Sequence, residues 1–293
     1  AIGPNSGANG PYSVAIGEGT NTYSGTTGSL AIGQSAQAVS QYSVAIGKSR
    51  ANQQSSFAAV IYNNTSSYGT SAANSIAMGY RAKATGANAI SISGENATAS
   101  GSKSFAAGGE YPTASGAFAV SLGGSVNTAS GEASYAFGKR ALASEVGKYA
   151  YGAQLVSTAG ATQGGMMVLI SATTDATPRK MGSNTSGGTY NNQLLLPNNS
   201  AYAFHGTIVA RQQAADGTAC AAWKVEGLIR REGSAGTTVL VNSATTVLDN
   251  TPNWTMALSA DTTNGGLAIT VTGAASTDIR WVATIHTSEV TYA

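Results

Sequence analysis

One five-residue phrase recurs about ten times in the first 152 residues: small, apolar, small, apolar, then usually glycine. Clean copies are Ser13-Val14-Ala15-Ile16-Gly17, Ser29-Leu30-Ala31-Ile32-Gly33 and Ser43-Val44-Ala45-Ile46-Gly47. Others end at Ile61, Gly79, Ser93, Gly108, Gly123, Gly138 and Gly152, so most steps are 14 or 15 residues. Helical repeats need more than about thirty residues per unit. A unit this short holds two short strands and two turns, one coil of a β-solenoid whose coils pack only on their neighbours. Alternation within the phrase puts Val14 and Ile16 on one face and Ala15 on the other. Between phrases stand Ala36-Gln37-Ala38, Ala82-Lys83-Ala84, Ala97-Thr98-Ala99 and Ala141-Leu142-Ala143, a second strand with its alanines turned inward. The glycines suit corners that need positive φ. So thin a coil encloses little apolar volume, and a strand apolar on both faces wants cover on both. The pattern therefore predicts a homo-oligomer about a common axis, with three chains the simplest closed ring.

Composition narrows the classes. Charged residues are 10% of the chain and the formal net charge is +2, which does not predict a nucleic-acid partner. A hydrophobic fraction of 42% in periodic positions predicts order rather than disorder. The lone Cys220 allows no disulfide within the chain. No apolar run reaches a membrane span, so no membrane insertion is predicted. Because the chain opens inside a repeat, at Ala1-Ile2-Gly3, upstream coils and an anchor are expected to be missing.

The Ser-Val-Ala-Ile-Gly phrase, with Ala-x-Ala between copies, resembles the head repeats of trimeric autotransporter adhesins, the YadA-like family. That resemblance covers residues 1–152. It implies a trimeric left-handed parallel β-roll and a role in surface attachment. Tyr62 to Tyr68 departs from the pattern as an insertion, read as an outward loop, and the chain does not continue into the family's coiled-coil stalk and membrane barrel.

Residues 153–165 read as a linker and residues 166–293 as a second domain. Beyond Gly164 the repeat stops, and all three tryptophans, both histidines and the cysteine follow. Strand-like stretches at 166–173, 201–211, 218–231, 237–241, 254–260, 266–272 and 278–288 alternate with turn signals such as Asp216-Gly217 and Asn264-Gly265. They predict an antiparallel β-sandwich or jelly roll. Tyr202, Phe204, Ile208, Ala210, Trp223, Val225, Ile229, Ile279, Trp281, Ala283 and Ile285 form its predicted core faces. The segments 194–202, 260–267 and 279–285 resemble carboxy-terminal domains of bacteriophage tail fibres and tailspikes.

Little in the sequence points to catalysis. The thirteen carboxylates are scattered, and none pairs with apolar flanks as a glycosidase requires. His205 and His286 lack a metal or triad motif and read as solvated or interface residues. Cys220 reads as a small buried residue. No catalytic residue, metal or cofactor is predicted, and the chain is expected not to be an enzyme. The remaining candidates are shaft cations that recur after the repeat glycine: Lys48, Arg50, Arg81, Lys83, Lys139 and Arg140. Stacked in successive coils they would form basic bands for anionic polysaccharide, although solubilising side chains on the outer wall give the same pattern. Tyr42, Tyr62, Tyr68 and Tyr80 beside them are read either as stacking surfaces for sugars or as fillers of the corners. Segments 175–192 and 214–218 are candidate tip loops.

The expectation is a homotrimeric phage tail-fibre or tailspike protein in the virion tail. It would bind bacterial surface polysaccharide, lipopolysaccharide or an outer-membrane receptor, and other tail proteins through the missing amino-terminal part. A bacterial adhesin passenger, a polysaccharide-degrading tailspike and a plain spacer stand as alternatives.

Overall fold

A computed structural model describes the chain except residues 63, 64, 66, 93, 154, 155, 157, 186, 187, 189–191, 214–217 and 293. The expected phrase end at Ser93, part of the 62–68 insertion, the Asp216-Gly217 turn and parts of both tip loops lie outside the described residues. The protein is all-β, with a β-solenoid of about ten turns. It divides into two compact units, Ala1–Leu142 and Ala143–Ala293.

In the first unit every coil contributes one phrase strand and one short strand, and both kinds stack in parallel ladders. Val14–Ile16 pairs with Leu30–Ile32, which pairs with Val44–Ile46 and then Phe57–Ala59, in unbroken register. The second ladder runs from Gly7–Ala8 through Asn21–Thr22, Gln37–Ala38 and Arg50–Ala51 to Thr128–Ala129. Inside the coil lies alanine: Ala15, Ala31, Ala45, Ala77, Ala36, Ala38, Ala82 and Ala84 are all 0% exposed. The inward alanines of the short strand match the expectation, and the structure adds that the phrase strand also turns its alanine inward.

Serine at the head of the phrase has a structural reason. In several coils its side chain is buried at the corner, and its hydroxyl donates to the carbonyl three residues earlier. Ser43 donates to Ser40 O at 2.6 Å, Ser104 to Gly101 O at 2.7 Å and Ser134 to Gly131 O at 2.7 Å. A buried hydroxyl without such a partner would cost about 1–3 kcal/mol. At the corner after the phrase Gly17 takes φ 125°, and an added Cβ would sit 2.5 Å from Gly33 O, so glycine is required twice over.

The phrase before the insertion ends one residue earlier than its spacing suggests. Val60, with φ 49°, occupies the corner and donates its amide to Ile46 O at 3.1 Å, as Gly47 does to Ile32 O. Ile61 then turns inward and is fully buried. An apolar residue filled the glycine position, which hid the 13-residue step.

Outside, the phrase ladder carries two apolar rows. Val14, Leu30, Val44, Phe57, Ile76, Ile90, Phe105, Val120 and Tyr135 stand in one. The other runs through Ile16, Ile32, Ile46, Ala59, Met78, Ile92, Ala107, Leu122 and Phe137 in the same register. Most are half-buried within the chain; Val14, Ile16, Leu122 and Phe137 are exposed, and Ala59 is buried.

The second unit contains ten strands among the described residues: β1 Tyr149–Ala153, β2 Thr162–Thr173, β3 Arg179–Lys180, β4 Leu194–Leu195, β5 Ser200–Gln212, β6 Cys220–Arg231, β7 Val239–Asp249, β8 Thr255–Asp261, β9 Gly266–Thr272 and β10 Ile279–Thr291. Thr162–Gly165, read from sequence as linker, are therefore strand. The larger sheet has order β1-β2-β10-β5-β6-β7, antiparallel throughout. In the smaller sheet β3 and β4 share one edge of β9 and β8 pairs with the other.

One hydrophobic cluster joins the two sheets: Leu169, Ile208, Trp223 and Trp281 from the larger, Leu194, Leu267, Ile269 and Val271 from the smaller. Trp281 stacks on Trp223 with centroids 5.7 Å apart and donates its indole N–H to Thr173 Oγ1 at 3.0 Å. That bond lets the ring sit in the core without an orphaned donor. The predicted core faces of β5, β6 and β10 are all buried. Cys220 is not: it is exposed. Ala221 and Trp223 claim the core side of β6, and strand alternation turns Cys220 outward.

Candidate functional site

Four of the shaft cations gather where the repeat is interrupted. Tyr62 follows the irregular Val60 corner and Tyr80 follows Gly79; their rings lie 5.9 Å apart, and Tyr62 is 70% exposed. Lys48 Nζ stands 5.6 Å from the Tyr62 centroid. Arg81 stands 5.0 Å from Tyr80 and 5.9 Å from Tyr68. Each such contact is worth about 0.5–1 kcal/mol at an exposed site, enough to bias the rings toward an open, upright platform. Arg50 and Lys83 face outward on the short-strand ladder, in one row with Gly69 between them. Arg50 donates to Asn52 Oδ1 at 2.5 Å and to Gln37 Oε1, and its guanidinium lies 5.8 Å from Tyr23.

Lys139 and Arg140 lie farther along the shaft. Glu95 and Glu110 bridge to each other on coils that intervene between Arg81 and Lys139. The cations thus form a patch near Tyr62 and Tyr80, with acidic coils between it and the far pair. Exposed aromatic rings flanked by guanidinium and ammonium groups can stack on the apolar face of a sugar ring and pair with its anionic substituents.

Two further constellations come together only in three dimensions. His205 and His286 are direct partners on β5 and β10, with rings stacked at 5.3 Å on the exposed face of the larger sheet. Glu145 and Glu289 meet at one buried ammonium. Lys148 Nζ donates to Glu289 Oε2 at 3.0 Å and lies 3.3 Å from Glu145 Oε2, where the geometry makes an ion pair without a hydrogen bond. Gln163 donates to Glu289 Oε2 at 2.7 Å and Thr287 to Oε1 at 2.6 Å. Burial alone would depress the Lys148 ammonium, but Glu145, Tyr202 and Glu289 hold it far above its usual range. The Tyr202 hydroxyl is pushed well above its usual range, chiefly by burial.

These groups are sealed from solvent and pair with one another, so they brace the unit rather than face a polymer. The alternation of β10 extends from Ile285 to Thr287 and Glu289, and that was the signal in the sequence for an inward carboxylate. Among the described residues no group of three or more His, Cys, Asp and Glu side chains is arranged to hold a metal.

The solenoid is similar to a known repeat over part of its length. The family model for the YadA head domain repeat matches residues 1–20, 27–49 and 71–92. Among solved structures the chain is similar to the tailspike protein gp49 of Acinetobacter baumannii bacteriophage Fri1, described as a capsular polysaccharide depolymerase. Identity is 10% and the TM-score 0.28, over 91% of this chain and 45% of that one. It is also similar to the tailspike of Acinetobacter phage vB_ApiP_P1, at 12% identity and a TM-score of 0.19, over 94% of this chain and 59% of that one. The chain therefore spans about half the length of these tailspikes. No curated protein matches it. The expectation that the chain is not an enzyme does not stand, because a tailspike described as a depolymerase is among its structural neighbours.

Proposed function

We propose that the chain is the receptor-binding part of a homotrimeric bacteriophage tail fibre or tailspike, attaching the virion to polysaccharide, lipopolysaccharide or an outer-membrane receptor of its bacterial host. The observation that carries the reading is the repeat solenoid with its two outward apolar rows. A coil filled with alanine has no interior left for those side chains, so a second copy covers them, and a left-handed roll about a threefold axis closes the set. Full burial of one such side chain is worth about 1.5–3 kcal/mol, and both rows continue along the ladder. Three copies multiply every glycan contact, and weak sites on one stiff support gain avidity.

In this reading Lys48, Arg50, Arg81 and Lys83 with Tyr62 and Tyr80 form the contact patch on the shaft, with Lys139 and Arg140 as outlying cations. The two sheets of the second unit are read as a β-sandwich tip. The YadA head repeat also favours a second reading, a bacterial adhesin head displayed on the cell surface.

The test uses the purified chain. Sedimentation should give three times the protomer mass, and Ile46→Asp should break the trimer by placing a carboxylate in the apolar seam. Adsorption to host cells should fall at least tenfold in Tyr62→Ala/Tyr80→Ala/Arg81→Ala. An assay for new reducing ends on host capsule, run in parallel, decides whether binding is accompanied by cleavage. A stable monomer that does not adsorb would overturn the reading.

A further inference from the structure

The second unit holds a cavity of about 730 Å³ that the shaft patch does not touch. Its floor is the outward face of β2 and β10, with Ile170, Ala172, Arg280 and Val282. Its wall includes Arg179, Lys180, Asn184 and Thr185. The segment that carries this wall is anchored at both faces. Ile170 and Gly182 exchange backbone hydrogen bonds at 2.7 and 3.1 Å, and Arg179 and Lys180 pair with β9. An added Cβ on Gly188 would lie 2.7 Å from Met181 O.

The charges are unevenly matched. Among the described residues no carboxylate lines the cavity. Asp261 takes the Lys180 ammonium at 2.8 Å and is further held by Gln193 at 3.0 Å and Asn264 at 3.0 Å, so its acceptor capacity is spent on the wall itself. Asp175 lies near Arg179, but its carboxylate turns to the Thr177 amide at 2.7 Å. Arg280, at the floor, stands directly opposite Arg211 across β5 and β10. Arg179 and Arg280 thus converge on the cavity from a wall and a floor, with amide and hydroxyl groups of Asn184 and Thr185 beside them.

We propose that this cavity binds the anionic group of a surface glycan, a sugar carboxylate or phosphate, through Arg179 and Arg280, with adjoining sugar hydroxyls on Asn184 and Thr185. The inference rests on the reading of the chain as a glycan binder and names the substrate class. Guanidinium groups grip carboxylate and phosphate by paired hydrogen bonds, and the volume suits one or two sugar rings.

The full chain is titrated with an oligogalacturonate, a phosphorylated oligomannoside and neutral dextran, read by calorimetry. One or both anionic probes should bind and dextran should not; which of the two binds separates carboxylate from phosphate. Arg179→Gln/Arg280→Gln should weaken binding at least tenfold. Thr185→Glu, a change at an exposed position that leaves the core intact, should do the same by repulsion. Unchanged circular dichroism and trimer mass establish that both variants fold. Equal affinity in either variant, or no binding of either anionic probe to the wild type, overturns the inference. Host-cell adsorption by the same preparations tests the broader reading separately. A chain that adsorbs but ignores both anionic probes loses the cavity site and keeps its function, whereas one that does not adsorb loses the function.

Discussion

Gly101→Ala should be among the most damaging single-methyl changes in the shaft, although its backbone torsions are ordinary. Gly86, Gly101 and Gly116 form a column in which each faces the next coil. A Cβ on Gly101 would fall 1.9 Å from Gly116 O, and one on Gly116 would fall 2.0 Å from Gly131 O. Carbon atoms rest at about 3.5 Å from their neighbours, so the coils must part by more than about 1 Å at that corner. The bond from Ser100 N to Ala114 O, now 2.9 Å, and that from Gly101 N to Ala114 O, now 3.2 Å, would then pass the length at which hydrogen bonds hold. Two lost bonds at about 1 kcal/mol each, with the disturbed alanine packing beside them, give a penalty of about 2–4 kcal/mol.

Gly123→Ala supplies the contrast. Gly123 has φ 59°, but nothing lies within 4 Å of its added Cβ, so only the left-handed backbone penalty of about 1–2 kcal/mol applies. Urea unfolding of the full chain should rank Gly101→Ala below Gly123→Ala. Hydrogen exchange should quicken in peptides covering residues 95–120 of the former. If Gly101→Ala is as stable as wild type, or less harmful than Gly123→Ala, the close stacking of coils is not what selects glycine there.

Other substitutions probe the polar contacts. Asn127 is 0% exposed and donates to Gly123 O at 2.7 Å and Gly138 O at 2.8 Å while accepting from Ala141 N at 3.0 Å. Asn127→Ala should cost about 2–4 kcal/mol in chemical unfolding, since it strands buried backbone groups on two coils. Lys148→Met leaves Glu145 and Glu289 buried without their cation and should destabilise the second unit by about 3–5 kcal/mol, whereas changing all three to apolar residues should recover much of it. For Asp261, burial alone would raise the carboxyl, but hydrogen bonds from Lys180, Gln193 and Asn264 outweigh it and hold the group well below the usual carboxylate range. A depressed folded-state value means its contribution is present above the unfolded value of 3.8 and is lost as pH falls below it. Thermal melts should therefore lose stability below about pH 4, and Asp261→Asn should start lower and show a shallower acid slope.

Sequence periodicity carried the architecture a long way because two periods, one near 15 and one of 2, are imposed by local sterics and burial. That Val14 and Ile16 share a face opposite Ala15 followed from alternation alone, as did Trp223 and Trp281 in the core, but alternation did not say that the alanine face is the inner one. Chemistry set by pairing between distant strands was not legible. His205 and His286 meet through the register of β5 with β10, and Arg280 lines one cavity with Arg179 where Gly182 bridges to Ile170 of β2. Cys220 failed for a simpler reason: its small, apolar neighbours suggested burial, but it alternates out of phase with Ala221 and Trp223, which put it outside. The shaft cations were found by their recurrence after glycine, yet recurrence could not reveal that Lys48 and Arg81 pack against the Tyr62 and Tyr80 rings.

Uniform register has a consequence for heredity. Every coil offers its neighbours nearly the same pairings, as when Ala99 meets Ala114 and Ala114 meets Ala129. Recombination that duplicates or excises one whole period leaves all remaining joints made. Reach can therefore change between generations in quanta of about 4.8 Å, without redesign of the parts at either end.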